Sequence, residues 1–408
     1  MATTTYQIAF DGSAVEADFY GDIVSLTVDE NGAVATTLRL QLATRLKDDA
    51  SWSRLDDERL APFTRISVKI GFSGGGGLAG AVSGLLGGAG NDGLEPVFDG
   101  YITGLNLNLS SEPGSTFIDI DGMDTSVLMS LEEKIATWPN MADSDIVQQI
   151  VTGNYGVETQ ADTTATVHQE NDTTIVQRAT DIQFVRDLAQ RNGHEFYFET
   201  DKDSGNVVAH FQAPQLTGTP QPDLAIQFGD QSNLRSFSAR LNGQRPLNVK
   251  TEQMDVKANS RNTAQVGNSQ LTALGSKDAN TLIGAPLGSL VTPKDGLAQM
   301  LVLGPPTSDP TELEVVAQAA RDEAGWFITA NGEINSNAYQ AILRPHRLVL
   351  VKGAGSAYSG KYYVGRVTHE LKGDGTYTQR FEARRNARDL DGSEQFGGSG
   401  LGVSIPGI

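Results

Sequence analysis

Apolar and polar residues alternate along short stretches at both ends of the chain. This period-two pattern predicts half-buried antiparallel strands, and residues 23–28 and 37–42 are the clearest examples. Between these two stretches lies Asp29-Glu30-Asn31-Gly32. Because Asn and Gly tolerate positive φ, we predict a turn there.

One arrangement of strands occurs twice. In the first copy, strand-like segments at 66–70, 98–103 and 116–121 occur in order, and in the second copy 348–351, 362–368 and 377–382 repeat them. Both copies carry a Gly-x-(Ile/Val)-Thr motif, formed by Gly100, Ile102 and Thr103 and by Gly365, Val367 and Thr368. The repeat predicts that one chain builds two similar β units, which suits a protein placed between partners of different symmetry.

A different pattern separates the two copies. Thr180 to Gln183 has the form of a capping box, the apolar positions that follow lie on one helical face, and Gly193 provides the end of a helix. An aromatic strand at 194–199 and a hairpin turn at 201–206 come next. This segment predicts an α/β domain inserted between the β units.

These patterns divide the chain into modules. We predict a first β-barrel at 1–124, an α/β insertion domain at 125–215, a second β-barrel formed by 216–260 and 335–390, an insertion with a loop and a helix at 261–334, and a flexible tail at 391–408. The stretch 259–310 is rich in Asn, Ser, Gly and Pro and resembles a loop or a lightly ordered insertion. The first barrel contains a Gly-rich loop at 73–94. Its leucines, Leu78, Leu85 and Leu86, leave two interpretations open: a poorly ordered insertion or a contact with an apolar partner.

Composition excludes several classes of protein. The chain has 408 residues, no cysteine and a formal net charge of −19, so disulfide and thiolate chemistry are absent and specific nucleic-acid binding is not expected. A reducing compartment is the simpler assumption. The sequence predicts neither a secretory signal nor insertion into a membrane.

Candidate catalytic and metal-binding patterns are incomplete. The Gly71-Phe72-Ser73-Gly74-Gly75 segment has the form of a nucleophile elbow, but a glycine run follows where a helix is required. Asp201 and Asp203 begin a calcium-like loop that lacks its later ligands. His194 and His210 could face each other across their hairpin as a structural contact or half of a metal site. We therefore predict no enzyme, no catalytic residue, no cofactor and no metal.

Three segments resemble a known family. The run 181–199, with Phe184, Leu188, Gly193, Phe196 and Tyr197, resembles the helix, glycine and aromatic strand of the phage late control protein D family, which includes the hub part of type VI secretion spike proteins. The segment 359–381, with Tyr363 and His369, resembles that family's closing hairpin, and the helix beginning near Pro310 is also similar. The similarity extends in order over about residues 1–390.

The resemblance implies a fold and an assembly. The expected fold class is β-rich α+β, with two antiparallel β-barrels similar to the tail-tube fold and an α/β insertion domain. A homotrimer would then present six barrels, with pseudo-six-fold symmetry, to a hexameric inner tube protein. The implied function is the structural baseplate hub of a contractile phage tail or injection system, which nucleates the tube and holds a trimeric spike.

The resemblance leaves several expectations to examine. Family members fused to the spike have a needle domain after the hub, and the end of this sequence at Ile408 implies a separate spike protein. Assembly would take place in the cytoplasm with other baseplate proteins, before the hub becomes part of the particle. Acidic residues would line the lumen and let DNA or acidic cargo slide. The alternatives are the hub of a non-contractile tail and a baseplate-associated cell-wall hydrolase.

Overall fold

A computed structural model describes residues 3–73, 93–112, 114–171, 174–255, 259–290, 299–303 and 310–394. Most of the predicted Gly-rich loop, including Leu78, Leu85 and Leu86, and most of the predicted tail lie outside these ranges. Within them, no helix combines the length and the apolar character that crossing a bilayer requires.

The first module is an antiparallel sheet built from residues 3–124. Its strands are β1 (Thr3–Phe10), β2 (Ser13–Ala14), β3 (Ile23–Asn31), β4 (Thr37–Ala43), β5 (Arg65–Ser73), β6 (Leu94–Asn108) and β7 (Phe117–Asp124), and helix α1 (Ala17–Gly21) follows β2. The predicted alternation holds in β3 and β4, because Leu26, Val28, Leu38 and Leu40 are buried in one core. The predicted turn at 29–32 is wrong, since β3 continues to Asn31 and pairs there with a later strand.

The insertion segment that follows contains small sheets packed on two helices. Its strands are β8 (Glu133–Trp138), β9 (Met141–Ala142), β10 (Glu158–Ala161), β11 (Val167–His168), β12 (Ile175–Thr180), β13 (Glu195–Thr200) and β14 (Val207–Gln212), and its helices are α2 (Asp143–Gln148), continued by a π-helical segment (Gln149–Asn154), and α3 (Asp181–Arg191). The predicted α3 is confirmed, with the Thr180 side chain accepting from the Gln183 amide and Gly193 at φ +68° beyond its end.

The second module follows the same plan as the first. Its strands are β15 (Gln221–Ala225), β16 (Leu234–Leu241), β21 (Ile328–Asn335), β22 (Leu348–Lys352), β23 (Gly360–Lys372), β24 (Tyr377–Arg385) and β25 (Ala387–Arg388). Between β16 and β21 lie β17 (Asn248–Asp255), β18 (Ser260–Val266), β19 (Lys277–Asp278), a π-helical segment (Asn280–Gly284), and then α4 (Ala285–Leu290), β20 (Gln299–Leu303) and α5 (Pro310–Ala324). Two short helices, α6 (Ser336–Tyr339) and α7 (Gly355–Tyr358), complete the module.

Strand pairing differs from the predicted module boundaries in two places. β21 pairs with β16 and β24, so it belongs to the second module although its sequence lies in the range predicted as insertion. β17 pairs with β18 and β20 to form a separate three-stranded sheet, although its sequence lies in the range predicted as barrel. The polar stretch 259–310, predicted as loop, supplies the other two strands of that sheet. Local polarity did not reveal these strands because long-range pairing defines them.

The two modules share one sheet across the described residues. β3 of the first module pairs with β23 of the second, so that a single sheet of thirteen strands runs through both. Along its main path the order is β16-β21-β24-β23-β3-β4-β7-β6-β5-β1-β2. Strand pairing within the described residues therefore closes neither module into a separate barrel. The core of each module lies on one side of this sheet.

Candidate functional site

Eight neighbouring strands of the shared sheet, from β16 to β6 in the order above, present a polar face that is solvent-exposed at positions such as Arg39, Arg235 and Arg380. Residues that point away from the cores meet in rows across these strands, as in the row Glu333, Arg380, Thr368, Asp29 and Thr37. Each row is polar because the strands alternate between core and solvent. We call this surface the polar sheet face.

Ion pairs connect the strands of the polar sheet face. Arg366 bridges Asp29 at 2.6 Å and Glu382 at 3.0 Å, which joins three strands. Arg380 lies 3.4 Å from Glu333 and 3.3 Å from Glu370. Further pairs are Arg39 with Asp121 at 3.2 Å, Arg235 with Glu333 at 3.0 Å, and Lys372 with Glu370 at 3.9 Å.

The charges of the polar sheet face compensate one another. Its charged residues include the basic Arg39, Arg235, Arg240, Arg366, Lys372, Arg380 and Arg384 and the acidic Asp29, Asp119, Asp121, Glu333, Glu370 and Glu382. Charges of both signs are thus interspersed on this face, whereas the whole chain carries −19. The expected acidic surface is therefore not found on this face.

The repeated strands agree in topology but not in the alignment of the predicted motif. β5, β6 and β7 form an antiparallel meander, and β22, β23 and β24 form another. A β-bulge interrupts the pairing of β6 with β7 at Thr103, and the corresponding bulge between β23 and β24 lies at Gly365. The bulges make Thr103, and not Gly100, the structural counterpart of Gly365.

The six motif residues consequently have different surroundings. A Cβ on Gly100 would lie 2.2 Å from the Met123 carbonyl oxygen, whereas one on Gly365 would meet only the Glu382 carbonyl oxygen at 3.9 Å. Ile102 and Val367 are buried in the two cores. The Thr103 hydroxyl donates to the Asp121 carbonyl oxygen at 3.2 Å, and the Thr368 hydroxyl donates to Asp29 at 3.1 Å.

The remaining strands of the modules correspond more closely than the motif does. β3 pairs with β4 as β16 pairs with β21, and each first strand has a bulge at the same point, at Val24 and Arg235 respectively. Leu40 of β4 lies opposite Ile120 of β7. In the second module the equivalent residue, Gly332 of β21, lies opposite Phe381 of β24. Four strands of one module thus have counterparts in the other: β3 in β16, β4 in β21, β7 in β24 and β6 in β23.

A buried charged cluster lies where the two modules join. Glu30 of β3 lies 2.8 Å from Arg344 and 2.9 Å from Nε2 of His369, and Nδ1 of His369 is 2.7 Å from the Tyr377 hydroxyl. Arg344 also donates to the Pro96 carbonyl oxygen of β6. Burial opposes the charge of Arg344, but Glu30 and Glu199 hold its pKa above the ordinary value. His369, singled out by the family resemblance, belongs to this cluster.

A second cluster joins the insertion segment to the second module. Glu195 of β13 is 2.7 Å from Nδ1 of His346, and it accepts hydrogen bonds from Tyr363 and Arg384 at 2.5 Å each. Burial acts to raise the pKa of Glu195, but His346 and Arg384 lower it below the ordinary value. The Tyr197 ring stacks on His346 with ring centroids 3.4 Å apart.

The other family-motif residues stabilise the insertion segment itself. Phe184, Leu188 and Phe196 are buried in its core, and Gly193 lies against Ala319 of α5. The sequence pattern places Glu30 in a predicted turn and gives no role to Glu195 or Arg344. Glu30 continues the alternation of Leu26 and Val28, and this position is the signal that could have identified it as facing the core.

The patterns considered for catalysis and metal binding have structural roles or remain incomplete. Ser73 pairs with Thr3 at the end of β5. The Asp201 carboxylate accepts from the amide and hydroxyl of Ser204 within its hairpin turn. His210 lies opposite Tyr197, so the predicted face-to-face arrangement with His194 is wrong. No three His, Asp or Glu side chains of the described ranges come together as metal ligands.

Solved structures with this fold are tail proteins and secretion components. The 43 kDa tail protein of prophage MuSo2 from Shewanella oneidensis is 14% identical with a TM-score of 0.62, over 95% of this chain and 100% of the other. A tail protein from Neisseria meningitidis is 10% identical with a TM-score of 0.60, over 94% and 97%. An Escherichia coli component of the type VI secretion system is 13% identical with a TM-score of 0.54, over 93% and 76%. The chain therefore has the fold of phage tail proteins.

Sequence comparison places the chain in a family. No curated protein matches the chain at a significant level. The profile of a family described as the Alg8 N-terminal domain matches residues 86–373, which is well over half of the sequence. The match includes the insertion segment and the first two strands of the second meander, β22 and β23, and it ends before β24. The chain therefore belongs to the Alg8 N-terminal domain family.

Proposed function

We propose that the protein is the structural hub of a baseplate, in a contractile phage tail or a related injection system. The observation that carries this proposal is the pair of modules whose strands correspond down to the bulges at Val24 and Arg235 and share one sheet. A chain with two equivalent modules can present six of them from three copies. Such an assembly matches a six-fold partner on one side and a three-fold partner on the other.

The partners follow from this symmetry. The homotrimer would offer its six modules to a hexameric inner tube protein and would nucleate its polymerisation. The opposite face would hold a separate trimeric spike, with other baseplate proteins around the hub. Assembly would take place in the cytoplasm before the particle is complete. The fold shared with phage tail proteins and with a type VI secretion component supports this placement.

The proposed trimer gives the polar sheet face a role. In a closed trimer, the eight strands from each copy would line a continuous channel, with the cores outside it. Ion pairs such as Arg366 with Asp29 would then face the lumen. The role is mechanical, and the residues of this face serve to bound the channel and not to perform chemistry.

Mass measurement with and without the tube protein tests the proposal. Native mass spectrometry should give three times the 43.5 kDa chain mass, and adding the tube protein should give tubes that begin at the trimer. Tube assembly without the chain is the control, and it should show a lag that the chain removes. A monomer that leaves the lag unchanged would contradict the hub function.

A further inference from the structure

The shared sheet has two open edges that complement each other. β16 has β21 on one side and no strand on the other, and the second half of β6, beyond residue 102, has β7 on one side only within the described ranges. Their counterparts in the other module are β3 and the second half of β23. Those two counterparts pair with each other inside the chain.

We propose that the second half of β6 pairs, antiparallel, with β16 of a second copy, in the register that β23 and β3 use within the chain. Inside the chain Val367 lies opposite Glu30, Thr368 opposite Asp29 and His369 opposite Val28. Transferring this register through the repeat places Leu105, Asn106 and Leu107 of one copy opposite Leu241, Arg240 and Ala239 of the next. This inference specifies the contact between copies that the proposed function requires.

Side-chain chemistry at the two edges agrees with this register. Leu105 and Leu107 lie on the core side of β6, in line with the buried Ile120 and Ile118, yet they are 44% and 41% exposed. The residues they would meet, Leu241 and Ala239, lie on the core side of β16 and are only half-buried. Pairing would bury apolar groups from both copies and continue the core from one copy to the next.

The polar side of the joint is equally matched. Asn106 and Asn108 lie on the same side of the sheet as Asp119, and Arg240 and Ser238 lie on the polar side of β16. In the transferred register Asn106 is opposite Arg240 and Asn108 is opposite Ser238. The rows of polar residues would therefore continue without interruption across the boundary between copies.

The residues at the ends of β3 and β16 provide an independent observation. β3 ends at Asn31, which precedes Gly32, and Asn242-Gly243 follows β16. Both asparagine side chains accept from the amide two residues later at 3.0 Å. At the internal joint the Gly32 amide donates to the Gly365 carbonyl oxygen, and a Cβ on Gly32 would lie 2.8 Å from that oxygen. The same position at Gly243 is open space. The Thr103 carbonyl of a second copy would occupy it.

Disulfide trapping tests the joint in a chain that has no cysteine of its own. Residues directly opposite in antiparallel strands have Cα atoms about 4.5–5.5 Å apart, within the range of a disulfide. The double variant Asn106→Cys/Arg240→Cys should therefore form cross-linked dimers and trimers on mild oxidation, resolved on a non-reducing gel. The control Asn106→Cys/Ser236→Cys displaces one partner by four residues, about 13 Å along the strand, and should stay uncross-linked.

A glycine substitution tests the backbone approach. Gly243→Val in the cross-linking background should abolish the trimer band and leave the thermal unfolding of the chain unchanged, because the added side chain meets only open space within one copy. Gly21→Val, also in open space, is the matched control and should preserve cross-linking. Equal cross-linking of both cysteine pairs, or none with the in-register pair, would overturn the joint. Cross-linked trimers that fail to shorten the lag of tube assembly would overturn the hub function alone.

Discussion

Individual buried residues hold the two modules together. Glu30, Arg344, His369 and Tyr377 form one connected cluster between β3 and the second module, and both Glu30 and Arg344 are almost fully buried. Removing one member of a buried ion pair leaves its partner without compensation. The core side of the junction inside the chain therefore carries buried charge, whereas the core side of the joint proposed between copies is apolar.

Arg344→Met should destabilise the chain strongly. The substitution keeps an unbranched side chain but leaves the buried Glu30 without its 2.8 Å partner, and the expected loss is about 3–5 kcal/mol in the free energy of unfolding, measured in urea. Arg261→Met is the control, because Arg261 is 64% exposed in its pair with Glu252 and should change stability by less than about 1 kcal/mol. Equal effects of the two substitutions would contradict the importance of the cluster.

Acid should weaken the contact between the insertion segment and the second module. Burial lowers the pKa of His210, so the unfolded chain takes up a proton that the folded chain does not, and this contribution to stability is present above about pH 6.5 and lost as pH falls. The lowered pKa of Glu195 has the same sign and adds a loss as pH falls below about 4.3.

Urea unfolding between pH 7.5 and 5.5 measures the histidine contribution. The midpoint for the native chain should decrease over this interval, and it should decrease less for His210→Gln, which cannot take up the proton. His194 also has a pKa lowered by burial, so part of the decrease of the midpoint with pH should remain in this variant. An unchanged slope in His210→Gln would exclude His210 as a source of the pH dependence.

At the scale of elements, α3 has ends that the sequence predicts and a packing contact that it does not. Its cap at Thr180 and its end at Gly193 were both predicted from residue types, because caps and left-handed glycines are local requirements. The contact of Gly193 with Ala319 of α5 was not predictable, since it joins segments more than a hundred residues apart.

Gly193→Ala should destabilise the chain by at least about 1 kcal/mol. The left-handed φ of +68° costs a residue with a Cβ about 1–2 kcal/mol, and the added methyl group would lie 3.4 Å from Ala319. Gly153→Ala is the control, because Gly153 has an ordinary φ and no atom closer than 4.0 Å to a Cβ. Thermal unfolding measures both, and a stabilising effect at Gly193 would contradict the structural role.

The strands of the polar sheet face also make a prediction about charge. Neutralising three acidic residues, in Asp29→Asn/Glu370→Gln/Glu382→Gln, releases Arg366 from both of its pairs and removes one of the two partners of Arg380. The variant should show measurable binding to duplex DNA, weakened by salt. Asp48→Asn/Glu112→Gln/Asp203→Asn removes equal charge from exposed positions elsewhere and is the control. Fluorescence anisotropy with a labelled duplex compares them. Equal DNA binding by the two variants would show that net charge alone, and not the ion pairs of the polar sheet face, governs the binding of DNA.

At the scale of the whole molecule, the two modules behave as one sheet and not as two separate units. β23 extends beyond its own module to pair with β3, and this pairing joins both modules in one sheet. The expected second barrel contains an inserted sheet of β17, β18 and β20 at the point where the first module has only a short turn between β3 and β4. Insertions at such turns leave the shared sheet intact.

The sequence alone determined which segments form strands and helices where the pattern is strong and local. Alternation gave β3 and β4, cap residues gave α3, and the repeated order of strands gave two similar units, because each depends on neighbours along the chain. It failed at 29–32 and at 259–310, where pairing with distant strands turns polar residues into strand.

Only the tertiary structure decided the register and the joining of the modules. Bulges displaced the Gly100 and Gly365 motifs relative to each other, and a bulge is a property of two paired strands and not of one. The compensation of charge on the polar sheet face has the same origin, because Arg366, Asp29 and Glu382 come from three strands far apart in sequence. Residue types set what each strand can offer, and the pairing of strands decides what each residue meets.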